Sequence, residues 1–217
     1  MTTTTTEAPP SAAATTRLRI GPVVVLVAVL VTSLVAWLRW GSDEKAPYTD
    51  SAAAGSIGLC NAGGKQVSSG SIDTAPFAWR AVGTTPAPAA YSAPGSSATL
   101  YAFQPRSGVD PTGWSGQLLT AAGRYSDPTH PMAAATGADV ALADFLAAYP
   151  AVDHGFVQLR LYLTAPGQPP LTAGYDALDI KVSGGSWHSV GGATVDCTAG
   201  TSVSFEDEID SIVSGNK

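Results

Sequence analysis

Two cysteines, Cys60 and Cys197, are the side chains with the strongest chemical potential in this 217-residue sequence. Each lies in a stretch with strand character, one near the start and one near the end of the same region. A bond between them would close a long loop and stabilise the fold by about 4–5 kcal/mol in the chain-entropy model. Such bonds persist outside the cytoplasm, whereas two free thiols are the alternative inside it. The pair predicts a structural disulfide.

Three histidines, His130, His154 and His188, are candidates for metal binding or proton transfer. They stand singly, whereas local zinc motifs such as H-E-x-x-H place two histidines within a few residues. The GWSG sequence at Gly113–Gly116 lacks the glycine spacing of a G-x-S-x-G nucleophile elbow and is predicted to be a turn. We therefore predict no catalytic residue, no metal site and no cofactor. The alternative is a cell-envelope hydrolase or transferase whose active site combines these histidines with distant carboxylates.

The position of Cys197 also resembles that of the nucleophile in sortase transpeptidases, which follow an N-terminal anchor with a small β domain. Sortases share a TLxTC strand, an upstream histidine and a downstream arginine. This chain has TVDC at Thr194–Cys197, and no arginine follows it. Without a cation to stabilise a developing oxyanion, and with Cys60 available as a partner, Cys197 is not predicted to be a nucleophile.

Aromatic residues offer the best non-enzymatic contact sites. Tyr91, Trp114, Tyr125 and Trp187 lie in or near predicted loops and hairpins. Exposed aromatic rings on a β domain can stack on sugar rings or fill a partner's pockets. Burial is the alternative for each of them, because large aromatic residues in a small domain are mostly inside. Trp79, which falls in an alternating stretch, is predicted to belong to the core.

Alternating apolar and polar residues predict the strands that position these side chains. Candidates include Ser56–Cys60, Phe77–Val82 and Thr99–Gln104, and the clearest is Val157–Leu163. That last strand places four apolar residues on one face and Gln158, Arg160 and Tyr162 on the other, which is typical of a half-buried antiparallel strand. Glycine pairs predict hairpin turns in the C-terminal third, where the last strand is expected at Ala193–Cys197.

One helix is predicted outside the membrane, at Gly137–Tyr149, because apolar residues recur at its i, i+3, i+4 and i+7 positions. Thr136 and Asp139 fit a capping box at its start, and Pro150 ends it. The fold class predicted from these patterns is mainly β. We expect an antiparallel β-sandwich, immunoglobulin-like in general architecture, with one amphipathic helix and one preceding transmembrane helix.

An uncharged apolar run, Ile20–Leu38, is about long enough to cross a bilayer as a helix. Basic and aromatic residues flank it as they do at membrane interfaces, namely Arg17, Arg19, Trp37, Arg39 and Trp40. A cleaved secretory signal is the alternative, but the run is long for one and no small-x-small cleavage site follows closely. We predict an uncleaved single-pass anchor.

The anchor divides the chain into segments of different composition. We predict a disordered cytoplasmic tail at 1–19, the transmembrane anchor at 20–40, a linker at 41–55, an extracytoplasmic β-rich domain at 56–204 and an acidic flexible tail at 205–217. From residue 39 onward, nine Lys and Arg stand against sixteen Asp and Glu, a net charge of −7. That balance argues against nucleic acid as a partner.

The Thr/Ala-rich tail, single anchor, Pro/Ala linker and cysteine-paired β domain resemble uncharacterised single-pass membrane proteins of actinobacterial type. The resemblance lies in layout and composition, and it implies no catalytic or binding residue. The sequence as a whole predicts a membrane-anchored, extracytoplasmic interaction module that is not an enzyme. Its expected partners are the membrane itself and an envelope polymer or surface protein.

Overall fold

Short strands dominate the computed structural model of this protein, which describes residues 44–204 and residue 213. Residues 44–204 contain twelve strands and one α-helix. The strands are β1 (Ala53–Cys60), β2 (Gln66–Val67), β3 (Ser69–Ser71), β4 (Arg80–Gly83), β5 (Ser97–Gln104), β6 (Ser115–Leu118), β7 (Gly123–Tyr125), β8 (Met132–Ala134), β9 (Phe156–Thr164), β10 (Tyr175–Ser183), β11 (Ser186–Val190) and β12 (Ser202–Ser204), and the helix is α1 (Leu142–Ala148). The prediction of a mainly β fold with one helix is confirmed.

Strand β9 lies at the centre of the sheet, antiparallel to β5 on one side and to β10 on the other. Strand β1 pairs in parallel with β10 through its first half and antiparallel with β4 through its second half. Hydrogen bonds thereby join the described strands into one 12-stranded sheet, whose main path runs from β12 to β8. These two end strands contact each other, so the sheet is nearly closed. The predicted two-sheet sandwich is not confirmed.

The main core lies on the face of β9 that the sequence identifies. Val157, Leu159, Leu161 and Leu163 are all buried there. The other face of β9 differs from the prediction, because Gln158 and Arg160 are buried as well. A central strand covered on both sides cannot be recognised from alternation alone, since the second cover comes from distant parts of the chain.

Helix α1 buries its predicted face, with Leu142 and Phe145 inaccessible to solvent. It begins five residues later than predicted, because the Thr136–Asp139 hydrogen bonds form a separate turn. In that turn the Asp139 carboxylate accepts from the backbone N–H of Thr136 at 2.6 Å and of Ala121 at 2.8 Å. The carboxylate of Asp144 then reaches back to the N–H of Ala141 at 2.9 Å and stabilises the first turn of the helix.

The predicted disulfide between Cys60 and Cys197 is confirmed, with a Cα–Cα distance of 5.8 Å. The bond lies in a small second core with Val82 and Met132. The expected strand at Ala193–Cys197 does not form. Side-chain bonds from Gln66 hold this segment instead: its Nε2 donates to the Ala193 carbonyl at 2.6 Å, and its Oε1 accepts from the Val195 N–H at 3.1 Å.

Residues 44–52 pack against the sheet, although the sequence predicts a linker over 41–55. The Tyr48 ring contacts Trp114 edge-on at a centroid distance of 4.7 Å, and Glu44 pairs with Lys181 and His188. We call residues 44–52 the strap. Strand β1 begins directly after it, at Ala53.

Several predicted features lie outside the described residues. They are the tail 1–19, the anchor 20–40 and the acidic tail 205–217 apart from residue 213. The predicted membrane-interface residues lie outside as well, namely Arg17, Arg19, Trp37, Arg39 and Trp40. Within residues 44–204, the structure contains no helix of the length and apolar character that spanning a membrane requires.

Candidate functional site

The four aromatic residues predicted as ligand contacts lie in different surroundings. Three of them donate hydrogen bonds to backbone carbonyls of the protein. The Tyr91 hydroxyl donates to the Pro169 carbonyl at 2.8 Å, and the Trp114 Nε1–H donates to the Val109 carbonyl at 3.1 Å. The Tyr125 hydroxyl donates to the Tyr91 carbonyl. Tyr91 and Trp114 are buried. Their contacts are those of structural residues.

Trp187 is the predicted aromatic residue that borders a cleft. The cleft has a volume of about 340 Å³ and lies between β3, β11 and the segment that leads into β4. Trp187 and Phe77 form its floor, with ring centroids 4.9 Å apart. Trp79 stands at its rim and is 38% exposed, against 3% for Trp187. We call this feature the Trp79 cleft.

The exposure of Trp79 corrects the prediction that it belongs to the core. Strand β4 begins only at Arg80, so the alternation expected from Phe77 onward does not hold for the three residues before it. Phe77 and Ala78 are both buried, and Trp79 faces outward. Its backbone is nevertheless fixed, because its N–H donates to the Cys60 carbonyl and its carbonyl accepts from the Ala135 N–H, both at 3.0 Å.

The floor of the cleft depends on the pairing of β11 with β3, which places Trp187 opposite Gly70. The indole lies over the glycine so closely that a Cβ on Gly70 would be 3.0 Å from the indole Nε1. A side chain at this position would therefore cover the indole nitrogen. The sequence contains no local signal for this contact, because the two residues are far apart along the chain.

The polar groups of the cleft are neutral. Its lining includes Asn61, Ser69, Ser71 and Thr74 and contains no charged side chain. The Ser71 hydroxyl is bonded within the protein, to the Gly185 carbonyl and the Asp73 N–H. Among the described residues, the Trp187 Nε1–H and the exposed hydroxyls of Ser69 and Thr74 make no hydrogen bond to another protein group. Neutral donors and acceptors next to an exposed indole provide a surface for binding and contain no group for proton transfer.

A second cluster of polar residues surrounds Arg160 on the other face of β9, and it is closed to solvent. The guanidinium of Arg160 donates to the Gln158 Oε1 at 2.7 Å and to the Pro111 carbonyl at 3.0 Å, and it lies 3.5 Å from the Asp50 carboxylate. The rings of Phe103, Tyr175 and Trp114 surround it, with centroids at 4.2, 4.9 and 5.3 Å. A fully enclosed cation with these partners is a structural element.

The strap closes this cluster through two tyrosine–carboxylate bonds. The Tyr48 hydroxyl donates to the Asp179 Oδ1, and the Tyr175 hydroxyl donates to the Asp50 Oδ2, each at 2.6 Å. Burial raises the pKa of both tyrosines, so they stay protonated and act as donors. Burial also raises the pKa of Asp179, against the opposing effect of its hydrogen bond from Tyr48.

The three histidines lie in different elements, and each has an acidic neighbour. His154 is 3.7 Å from Asp153, and His188 is 3.1 Å from Glu44. His130 has both a carboxylate and a hydroxyl nearby, Asp127 at 3.3 Å and Thr129 at 3.0 Å, but both contact the same ring nitrogen, Nδ1. A proton relay needs the carboxylate and the hydroxyl on opposite ring nitrogens, so this exposed turn does not resemble a catalytic triad.

A metal site has no support in residues 44–204, where no three His, Cys, Asp or Glu residues are grouped to hold an ion. No family model, curated protein or solved structure matches this chain. The chemistry of the Trp79 cleft is therefore the basis for a function of this chain.

Proposed function

We propose that this protein is a membrane-anchored binding module, non-enzymatic, whose Trp79 cleft holds a ligand on the extracytoplasmic side. The observation that carries the proposal is the cleft itself, which combines an exposed Trp79, a buried aromatic floor and a neutral polar rim. Concave sites with apolar walls and a few convergent polar groups are the usual form of a binding site.

The proposed location rests on two features of the chain. The run Ile20–Leu38 has the length and composition of a membrane anchor. The Cys60–Cys197 bond is of a kind that persists in oxidising compartments. On this proposal residues 1–19 face the cytoplasm, and the expected partner is an envelope polymer or a surface protein.

The proposal is tested by retention of envelope material on the immobilised full-length chain. The wild type is compared with Trp79→Ala, which removes the exposed ring, and with Leu118→Ala, a control at a side chain that is 48% exposed and does not line the cleft. We expect the wild type and Leu118→Ala to retain the same envelope component and Trp79→Ala to lose it. If the wild type retains nothing, or if Trp79→Ala retains as much as the wild type, the proposal is wrong.

A further inference from the structure

The chemistry of the Trp79 cleft indicates a class of ligand. We infer that the cleft binds an uncharged sugar unit of an oligosaccharide, with one sugar face on the Trp79 indole. This inference rests on the proposed binding function and goes beyond it, because it names the ligand chemistry and the groups that recognise it.

The stacking surface is the indole of Trp79. Its ring is 38% exposed at the rim of a cleft, while its backbone is held by hydrogen bonds on both sides. An indole on a backbone fixed in this way offers a large apolar contact at a low cost in conformational entropy, because only two side-chain torsions have to be ordered. A pyranose ring presents a matching face of C–H groups and carries its hydroxyls around the edge, where they can reach the rim of the cleft.

The hydrogen-bonding groups are arranged around this surface. The Trp187 side chain is 3% exposed, yet its Nε1–H has no partner in the described part of the chain. This nitrogen is not among the fully buried side-chain atoms that lack a partner in the described residues, so it is open to the solvent of the cleft, where a sugar hydroxyl can accept its hydrogen bond. The hydroxyls of Ser69 and Thr74, also without a partner among the described residues, can each donate and accept.

The charge of the cleft favours a neutral ligand. None of its lining residues carries a charged side chain. A charged group that enters a partly apolar cleft without an opposite charge loses hydration without compensation. The net charge of −7 from residue 39 onward further disfavours anionic polymers.

The distribution of ring exposure favours a sugar over a proline-rich peptide. Polyproline segments bind in grooves with several exposed aromatic side chains along the groove. In the Trp79 cleft Trp79 is the accessible ring, since Phe77 and Trp187 are 6% and 3% exposed. One accessible aromatic ring, with hydroxyls and an indole N–H in the same cleft, is suited to a single sugar ring.

The inference is tested by calorimetric titration of the full-length chain with maltotriose, cellotriose, mannotriose and chitotriose. The chain is kept in a detergent without a sugar headgroup, because maltoside or glucoside headgroups would compete for the cleft. We expect at least one trisaccharide to bind. Trp79→Ala should weaken that binding about tenfold or more, and Trp79→Phe should weaken it less, because a smaller ring remains.

A second variant, Gly70→Ala, tests the indole nitrogen. Its Cβ would lie 3.0 Å from the Trp187 Nε1 and so cover that donor, and we expect about tenfold weaker binding. Leu118→Ala should bind like the wild type. Circular dichroism and thermal unfolding of each variant establish whether the fold is intact. If Gly70→Ala does not fold, the comparison of Trp79→Phe with Trp79→Ala still tests the stacking surface.

Failure of this inference is distinguishable from failure of the binding function. If no trisaccharide binds while Trp79 still determines retention of an envelope protein, the sugar assignment is wrong and the binding module stands. Binding of a proline-rich peptide through Trp79, without binding of any trisaccharide, would also show that the sugar assignment is wrong. If sugars bind equally to the wild type, Trp79→Ala and Gly70→Ala, the assignment of the site is wrong. If neither sugars nor envelope material bind, both proposals fail.

Discussion

The carboxylate of Asp50 lies 3.5 Å from the guanidinium of Arg160, and both side chains are almost completely buried. Asp50 belongs to the strap and Arg160 to the middle of β9, so the pair joins the segment before the first strand to the central strand of the sheet. Burial of the two charges is tolerated because hydrogen bonds and aromatic rings surround them.

Substitution of Arg160 by methionine should therefore destabilise the protein strongly. Asp50 would remain as a buried carboxylate without its cation, and we expect a loss of about 3–5 kcal/mol in the free energy of unfolding. Urea unfolding of the full-length chain measures it. The double variant Asp50→Asn/Arg160→Met should lose less than the sum of the single variants. Arg106→Met, at an exposed arginine bonded to Gln104, is the control and should cost about 1 kcal/mol or less.

Tyr48→Phe should loosen the strap. The change removes the hydroxyl that donates to Asp179 and leaves the Gln158 amide, at 3.3 Å, as the donor to that carboxylate. We expect a loss of about 1–3 kcal/mol in urea unfolding. Tyr101→Phe provides a matched control, because the Tyr101 hydroxyl makes no hydrogen bond within residues 44–204. Equal effects of the two changes would contradict a role for the Tyr48 hydroxyl.

Asp179→Asn should change how stability depends on pH. Because burial raises the pKa of Asp179 above its ordinary 3.8, the folded state holds the proton more tightly than the unfolded state. The contribution of Asp179 to wild-type stability is therefore fully present below pH 3.8 and is lost as the pH rises through the folded-state pKa. Asparagine keeps the Oδ1 that accepts both hydrogen bonds but does not titrate. The stability difference, measured by urea unfolding from pH 3 to 7, should shift in favour of the variant as the pH rises.

Asp110→Asn is a control of opposite sign for that experiment. The hydrogen bond from the Thr112 side chain lowers the pKa of Asp110. The stability that the ionised Asp110 contributes is therefore present above the unfolded-state pKa and is lost as the pH falls. This variant should lose stability relative to the wild type as the pH rises. A common trend in both variants would contradict one of the two assigned pKa shifts, because the shifts have opposite sign.

Replacement of both cysteines by alanine should cost about 5 kcal/mol in the free energy of unfolding, because the bond closes a loop with a sequence separation of 137. After unfolding and reduction, the wild type in reducing agent should have the same free energy of unfolding as the double variant. The measurement is urea unfolding under oxidising and reducing conditions. If the midpoints coincide under both conditions, the bond contributes nothing to stability.

Gly116→Ala should be destabilising where Gly137→Ala is not. A Cβ on Gly116 would lie 2.5 Å from the Phe103 ring and 2.9 Å from the Ala102 carbonyl, whereas a Cβ on Gly137 meets nothing within 4 Å. Displacement of the Phe103 ring also disturbs the contact with Arg160. We expect Gly116→Ala to lower the free energy of unfolding by about 1–3 kcal/mol. Thermal unfolding of the two variants measures the difference between them.

Local periodicity was sufficient to predict the features that depend on one segment. The core face of β9, the buried face of α1 and the turn at Gly184 and Gly185 follow from spacing within a few residues. The disulfide could also be predicted, because two cysteines allow only one pairing within the chain.

Features that depend on distant segments could not be predicted in this way. Arg160 is buried because residues of the strap and the loop before β6 cover it, and neither segment has a periodic pattern. Trp79 becomes a rim residue because β4 starts late and because Trp187, from another strand, already occupies the floor. The signal for such a site lies in tertiary contacts, which alternation within a segment does not contain.

The disulfide also determines how the protein would respond to mechanical tension. A pulling force applied between Glu44 and Ser204 travels along β1 to Cys60 and then crosses the covalent bond to Cys197. In the folded state β1 and β12 also pass force to the sheet through their pairing with β10, β4 and β7. Once those contacts have broken, the covalent bond carries the tension, and the backbone between the two cysteines is not extended further. Every residue that lines the Trp79 cleft falls between Cys60 and Cys197 in the sequence or is Cys60 itself. A ligand bound there would sit in a part of the chain that stretching of the ends does not pull apart.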